Sequence, residues 1–363
     1  MSMKARSVAG EAARNLVTGT TRALWWALAF VVLVGGLAVA DARVLVRVWQ
    51  DADAFRSAGA AVLTLASERE QVVDGTRCQG LSGVSRLAGA GALRPGTPIR
   101  AANMPSSDLT VWEVTPGVLE LLTSTARPTQ VVTGATGGIW LADDLAAALG
   151  ASAGDDLVTT DGRVRIAGVY SWPDDGRDRV LAYAAVVAVP ASGTFERCWA
   201  EAWPADEDAA GLLYSAMSPG ADDPRLGQLN SQRGSTYDLT GSVDSRPTAT
   251  APAAAAVVGL VLGCVAVRAR RLELASALHA RVPKRLLSWQ LLLEAGCWLA
   301  AALSVTAAAT GVAALLGSPG PFLETWATAG MTAGAGAAAT LIGTLVGVLA
   351  TREKHLFRYF KER

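Results

Sequence analysis

Apolar residues gather into four long runs, and the remaining chain alternates or punctuates. Crossing a hydrocarbon core of about 30 Å takes roughly 20 apolar residues in a helix. The first run, residues 23–40, is uncharged between Arg22 and Asp41 and carries Trp25 and Trp26 where amphipathic rings settle at an interface. The others cover 249–267, 291–316 and 325–350, and the Pro/Gly turn Gly317-Ser-Pro-Gly-Pro321 joins the last two. The pattern therefore predicts an α-helical membrane protein with four transmembrane helices. A cleaved signal peptide competes for the first run, because Ala38-Val39-Ala40 has the small residues of a cleavage site. Its length, and a helical stretch at 11–21 before it, favour a retained helix.

The long insert at 41–248 reads as a stalk followed by a mixed α/β domain. Residues 41–55 keep Val44, Val48 and Ala52 on one face, which predicts that the first helix continues beyond the membrane. Residues 61–65 alternate like a strand, 116–123 begin a helix at Pro116, and 143–149 form another ending at Gly150. Residues 157–160 and 163–170 alternate on both sides of Asp161-Gly162, which predicts a hairpin with that pair as its turn. A further strand is expected over 180–189.

Composition agrees with the membrane class: 51% of the 363 residues are hydrophobic, 18% are charged, and the formal net charge is +0. Mean hydropathy is +0.31, high for a soluble chain of this length. The charges are sorted. Lys4, Arg6, Arg14 and Arg22 lie before the first run, Arg268, Arg270, Arg271, Arg281, Lys284 and Arg285 after the second, and Arg352, Lys354, Arg358, Lys361 and Arg363 after the fourth. Positive flanks stay inside. Three segments are thus expected in the cytoplasm: residues 1–22 as an amphipathic helix, the loop 268–290, and the tail 351–363. Residues 41–248 are then extracytoplasmic, with about 26 Asp and Glu against about 17 Arg and no Lys. No nucleic-acid partner is implied.

Candidate chemistry is sparse. Cys78 and Cys198 are the two cysteines of the outer insert, where oxidising conditions allow a disulfide; two buried free thiols are the alternative. Cys264 and Cys297 fall within apolar helices as small packing residues. His279 and His355 both lie in cytoplasmic segments, so no His-based triad or metal site is expected outside. None of Lys4, Lys284, Lys354 and Lys361 follows a glycine, which removes the GxxxxGK[ST] phosphate loop. Gly134-Ala-Thr-Gly-Gly138, Asp174-Asp175 and Asp222-Asp223 read as loops and solvated turns. The chain is expected to be no enzyme and to hold no catalytic, metal or cofactor site. Glycines spaced by four, Gly259/Gly263, Gly330/Gly334 and Gly343/Gly347, allow close helix packing.

The loop after the second run, RRLELASALHARVPKRLLSWQ over 270–290, places Leu272, Ala275, Leu278 and Val282 at helical spacing before Pro283 breaks the helix. It reads as an amphipathic helix parallel to the membrane, with a basic interfacial anchor as the alternative.

The order of one helix, a large insert and three helices, together with this loop, resembles the FtsX/MacB family of ABC transporter permeases. Arg270, Arg271 and Glu273, then Leu278-His279-Ala280, Lys284-Arg285 and Glu294, occupy the places of that family's loop motif, with His279 where the family usually has Gly. Val111 to Leu122, Trp140 to Val169 and the segment Glu11-Ala-Ala-Arg-Asn-Leu16 are similar to further stretches of the family. The resemblance implies a permease subunit in a bacterial plasma membrane that performs no chemistry itself. A separate ABC ATPase would dock on Arg271, Glu273, Leu274, Ala277, Leu278, Ala280 and Val282. ATP hydrolysis there would move the extracytoplasmic domain, to export or extract a lipid, peptide or drug or to signal to a cell-envelope partner. A second permease copy, or a related permease, and membrane lipids complete the expected partners. An ATP-independent membrane sensor or anchor shares the topology but needs no ATPase. A membrane-bound hydrolase would need a nucleophile and base that the outer insert does not display.

Overall fold

The computed structural model describes residues 5–67, 73–125, 128–132, 137–205, 208–219, 224–317 and 320–351. It divides into two compact units, Met1–Gln50 with Thr240–Arg363, and Asp51–Leu239. Four helices, Ala23–Ser57, Ala251–Ala269, Lys284–Leu316 and Phe322–Ala350, are long and apolar enough to cross a membrane.

Along the chain, α1 (Ala5–Val17) comes first. It stops earlier than the expected 21 because Gly19 takes a left-handed φ of 76°. The first long helix is α2 (Ala23–Phe30), a π-turn over Val31–Gly35, and α3 (Gly36–Ser57). In the π-turn the Gly36 N–H reaches back to the Val31 carbonyl, five residues away. Gly35 lies so close to Thr306 that a Cβ there would stand 2.8 Å from its Oγ1.

The unit Asp51–Leu239 is built on one large sheet. Its strands are β1 (Val62–Ala66), β2 (Val73–Asp74), β3 (Gly89–Pro95), β4 (Ile99–Arg100), β5 (Asp108–Leu109), β6 (Val111–Val114), β7 (Pro128–Val131), β8 (Ile139–Ala142), β9 (Asp156–Thr159), β10 (Gly162–Tyr170), β11 (Ala185–Ala188), β12 (Thr194–Phe195), β13 (Arg197–Glu201) and β14 (Arg225–Gln228). Ten of them form the order β14-β1-β13-β3-β6-β11-β8-β10-β7, with β9 paired to β10; β2/β12 and β4/β5 are separate two-stranded ribbons. Helices α4 (Gly75–Gly80), α5 (Pro116–Thr125), α6 (Asp143–Leu149) and α7 (Ala209–Tyr214) pack on it, and α8 (Leu239–Asp244) follows. One core gathers Leu93, Val118, Leu122, Leu141, Leu145, Ile166, Tyr170 and Trp199. A second gathers Leu65, Cys78, Phe195, Cys198 and Leu213. Through it runs the Cys78–Cys198 disulfide, which ties α4 to β13.

Two expectations in this unit change. The β9–β10 turn sits one residue earlier than Asp161-Gly162: Gly162 pairs with Thr159, so Thr160 and Asp161 form the loop. Tertiary contacts fix that register, since Thr160 N–H donates to Arg100 O (3.1 Å) and Ala101 bridges to Thr159. The strand expected over 180–189 is reduced to β11. Arg179–Leu181 instead form a 3₁₀ turn, begun by the Asp178 side chain accepting from Val180 N–H (3.1 Å) and followed by the Tyr170 hydroxyl on the carbonyls of Leu181 and Ala184 (3.0 and 3.1 Å).

The chain returns as α9 (Ala251–Ala269), α10 (Arg271–His279), α11 (Lys284–Leu316) and α12 (Phe322–Ala350). The apolar centre of this unit gathers Phe30, Val34, Ala255, Leu262, Trp298, Leu299 and Ala302. Close approach of α9 and α12 depends on glycine. A Cβ on Gly259 would stand 2.1 Å from Gly336 O, one on Gly263 2.1 Å from Thr340 O, and one on Gly343 2.1 Å from Leu260 O. Gly347 meets the side chain of Val267, whereas Gly330 and Gly334 face open space. Gly134, Asp222, Asp223 and the basic tail 352–363 lie outside the described residues.

Candidate functional site

The loop between α9 and α11 carries the most organised polar chemistry of the helical unit. Pro283 cannot continue a helix, and it caps α11 instead: its carbonyl accepts from Leu286 N–H (3.0 Å). Before it, α10 closes in a tight reversal. Arg281 adopts φ 62°, its N–H donates to Leu278 O (3.0 Å), and Val282 N–H donates to Ala277 O (3.1 Å). This is the paired-bond helix terminus usually built on glycine. The left-handed residue here is Arg281, so a side-chain-bearing residue makes the turn at a local cost of about 1 kcal/mol.

One side of α10 is packed inside the unit. Leu274 is buried with Val267, Leu287, Leu291 and Val348, and Ala277, Leu278 and Val282 pack against that cluster. Of the face expected from spacing, Ala275 is buried and Leu278 and Val282 pack on this cluster, while Leu272 is only half-buried and Leu274, not Leu272, is the innermost leucine of the helix. The exposed side carries Glu273, Ser276, His279, Ala280 and Arg281, while Arg271 is half-buried.

A polar hub fixes the start of α10. Arg270 donates from Nε and Nη2 to both carboxylate oxygens of Glu273 (2.9 and 2.6 Å) and from Nη1 to Glu294 Oε2. Glu294, almost wholly buried in α11, also accepts from Asn15 Nδ2 (2.8 Å) and Gln290 Nε2 (3.3 Å). Burial works against the Arg270 charge, but the hydrogen bond it donates to Glu273 and the charges of Glu294 and Glu273 outweigh it and hold the guanidinium above its usual range. Arg270 thus joins α10 to α11, and Glu294 carries the link on to α1. A carboxylate inside an apolar run needs a named partner, a signal that marks Glu294; Asn15 carries no comparable mark. On the far side, Lys284 Nζ donates to the carbonyls of Leu349 (3.2 Å) and Thr351 (2.9 Å), a cation at the C-terminal end of α12.

In the sheet unit, the last turns of α3 are clamped to the domain. Arg56 pairs with buried Glu201, which also accepts from Ser124 Oγ (3.2 Å). Arg177 binds Asp175 with two nitrogens (2.8 and 2.7 Å), lies over the Trp172 ring (5.1 Å), and donates to the carbonyls of Thr125 (2.8 Å) and Ser57 (3.0 Å). Burial raises the Asp175 carboxyl, yet Arg177 wins and holds it below the usual carboxylate range. Asn230 Nδ2 adds bonds to Ala58 O (3.1 Å) and Asp175 O (3.2 Å). Near the end of α3, Phe55 packs tilted against the rings of Trp203 and Tyr237, which stack on each other. Cavities of about 250 Å³ flank the 171–177 loop, one reaching Ser57 and Arg233, the other Asp143 and Tyr183. Among the described residues no group of three His, Cys, Asp or Glu could hold a metal ion.

No family profile matches the chain, and no curated protein matches it. Solved structures do. The chain is similar to the periplasmic region of MacB from Actinobacillus actinomycetemcomitans, at 12% identity over 49% of this chain and 94% of that one, with a TM-score of 0.37. It is similar also to the extracellular domain of the noncanonic ABC-type transporter YknZ from Gram-positive bacteria, at 14% identity over 47% of this chain and 100% of that one, with a TM-score of 0.29.

Proposed function

We propose that the chain is the permease subunit of an ABC transporter, in which a partner ATPase on the cytoplasmic side drives movement of an extracytoplasmic domain formed by residues 51–239. The observation that carries the proposal is α10: a short helix between two membrane-type helices, held on its inner side by Leu274 and the Arg270 hub, with an exposed outer side. A helix so fixed transmits a push instead of absorbing it. Force on α10 reaches α11 through Glu294 and α1 through Asn15. The four apolar helices and the basic flanks of the loop agree with cytoplasmic placement of α10. The substrate or envelope partner is a lipid, a peptide, a drug or a cell-wall protein. A second permease copy would complete the assembly.

The test is affinity purification of the tagged full-length protein in mild detergent. An ABC ATPase should co-purify, and S276W with A280D, both on the exposed side of α10, should release it without lowering the thermal midpoint. L274A should lower the midpoint, because it opens the internal cluster. If no ATPase is recovered in several detergents, the assignment falls and an ATP-independent sensor or anchor takes its place.

A further inference from the structure

Asp41 is wholly buried in the first long helix, where a carboxylate survives only with compensating partners. Arg246 Nε donates to its Oδ1 (2.9 Å), and Thr332 Oγ1 donates to its Oδ2 (3.4 Å). Arg246 Nη1 is spent on Val243 O (2.8 Å). Three parts of the helical unit meet here: α3, the link between α8 and α9, and α12. Asp41 and Arg246 are 205 positions apart and stand on the two legs through which the chain leaves for, and returns from, the unit Asp51–Leu239.

The contact is held by a single nitrogen. Arg177 grips Asp175 with two nitrogens in a nearly closed site, whereas Arg246 uses one nitrogen and keeps 11% of its side chain exposed. Thr328, Thr340 and Thr344 return their hydroxyls to carbonyls four residues back on the same helix; Thr332 turns its hydroxyl to Asp41 instead. Two residues beyond Arg246, the buried hydroxyl of Thr248 has no hydrogen-bond partner. A singly bonded ion pair, with an unpartnered hydroxyl two residues along the chain, is a joint that can take a second arrangement.

We propose that Asp41, Arg246 and Thr332 form a clasp that holds the two legs of the inserted domain together at rest and opens when the ATPase engages. This rests on the permease function proposed above and names the positioning residues that would carry its motion. Closed, the legs move as one with α12; open, each is free to follow its own helix.

The test uses the full-length chain in lipid nanodiscs with Cys264 and Cys297 replaced by Ala and spin labels at R43C and D244C, both exposed positions. The unmodified clasp should give one narrow distance, D41N a broad distribution, and the apolar pair D41L/R246M a narrow one again, since it removes both charges together. The charge-reversed D41R/R246D covers the case in which D41N fails to fold, and should also give a narrow distance. With the co-purified ATPase and ATP, the unmodified clasp should gain a second distance population and D41L/R246M should lose it. A narrow distribution in folded D41N, or an ATP response in D41L/R246M equal to that of the unmodified clasp, overturns the proposal. Failure to recover any ATPase sinks the permease assignment instead, and the D41N comparison alone then decides whether the legs are clasped.

Discussion

Replacing Gly263 by alanine should weaken the α9–α12 contact, while the same change at Gly334 should not. The new methyl carbon at 263 would stand 2.1 Å from Thr340 O and 2.7 Å from Thr344 N, both backbone atoms of α12 that cannot swing aside. An ordinary carbon–oxygen contact is about 3.4 Å, so the helices must separate by roughly 1 Å, and a gap of that size forfeits a quarter to a half of each contact's attraction. If some 30 heavy-atom pairs at about 0.1–0.2 kcal/mol each line the interface, the loss is about 1–3 kcal/mol, partly offset by up to ~1 kcal/mol from alanine's better helix propensity. Cys264 Sγ, bonded to Gly343 O at 3.2 Å, would lose its partner too. G263A should therefore lower the thermal midpoint of the purified protein in detergent. G334A, with nothing within 4 Å of its new methyl, should leave it unchanged or raise it. Equal midpoints for the two variants would refute the close-approach account.

Other outcomes follow from single sites. R281G removes the left-handed strain at the end of α10 and should stabilise by up to ~1 kcal/mol, read as a raised thermal midpoint; a lowered midpoint would show that the arginine side chain outweighs its backbone cost. Burial raises the Tyr170 hydroxyl well above its ordinary value, so its stabilisation is complete below the unfolded value near pH 10 and is lost as pH climbs toward the folded one. Y170F should destabilise at neutral pH by about 1–3 kcal/mol, since two buried carbonyls lose their donor, and should flatten the alkaline limb of a pH–stability curve. C78S/C198S opens a link across 120 positions and should cost about 4–5 kcal/mol on a chain-entropy estimate, seen as a lower midpoint that reductant no longer shifts.

Periodicity was a good guide where one strong constraint acted locally. A hydrocarbon core dictates run length, so the apolar cores of α9, α11 and α12 were visible, while their ends moved by a few residues because caps such as Pro283 and Pro321 start helices ahead of the apolar run. Helices α5 and α6 announced themselves through Pro116 and Gly150. Short strands such as β3 and β13 carry too little alternation, since both faces are covered and apolar residues run together. The β9–β10 register was beyond local reading because Arg100 and Ala101, on another strand and its neighbour, set it. In the loop, spacing found α10 and three residues of its inner face, Ala275, Leu278 and Val282, but missed Leu274: it is equivalent to Leu272 by composition, and only packing against Leu287, Leu291 and Val348 separates them.

The π-turn at Val31–Gly35 decides which way the rest of its helix looks. Each residue advances an α-helix by about 100°, so one residue absorbed into a wider turn rotates everything after it by nearly that angle. Asp41 lies six positions beyond the turn and faces Arg246 and Thr332. Deleting one residue within the turn would restore an even helix and swing the carboxylate roughly a quarter-revolution away from both partners. The compass bearing of the buried acid is thus written ten residues earlier, in an uncharged stretch of valine, leucine and glycine.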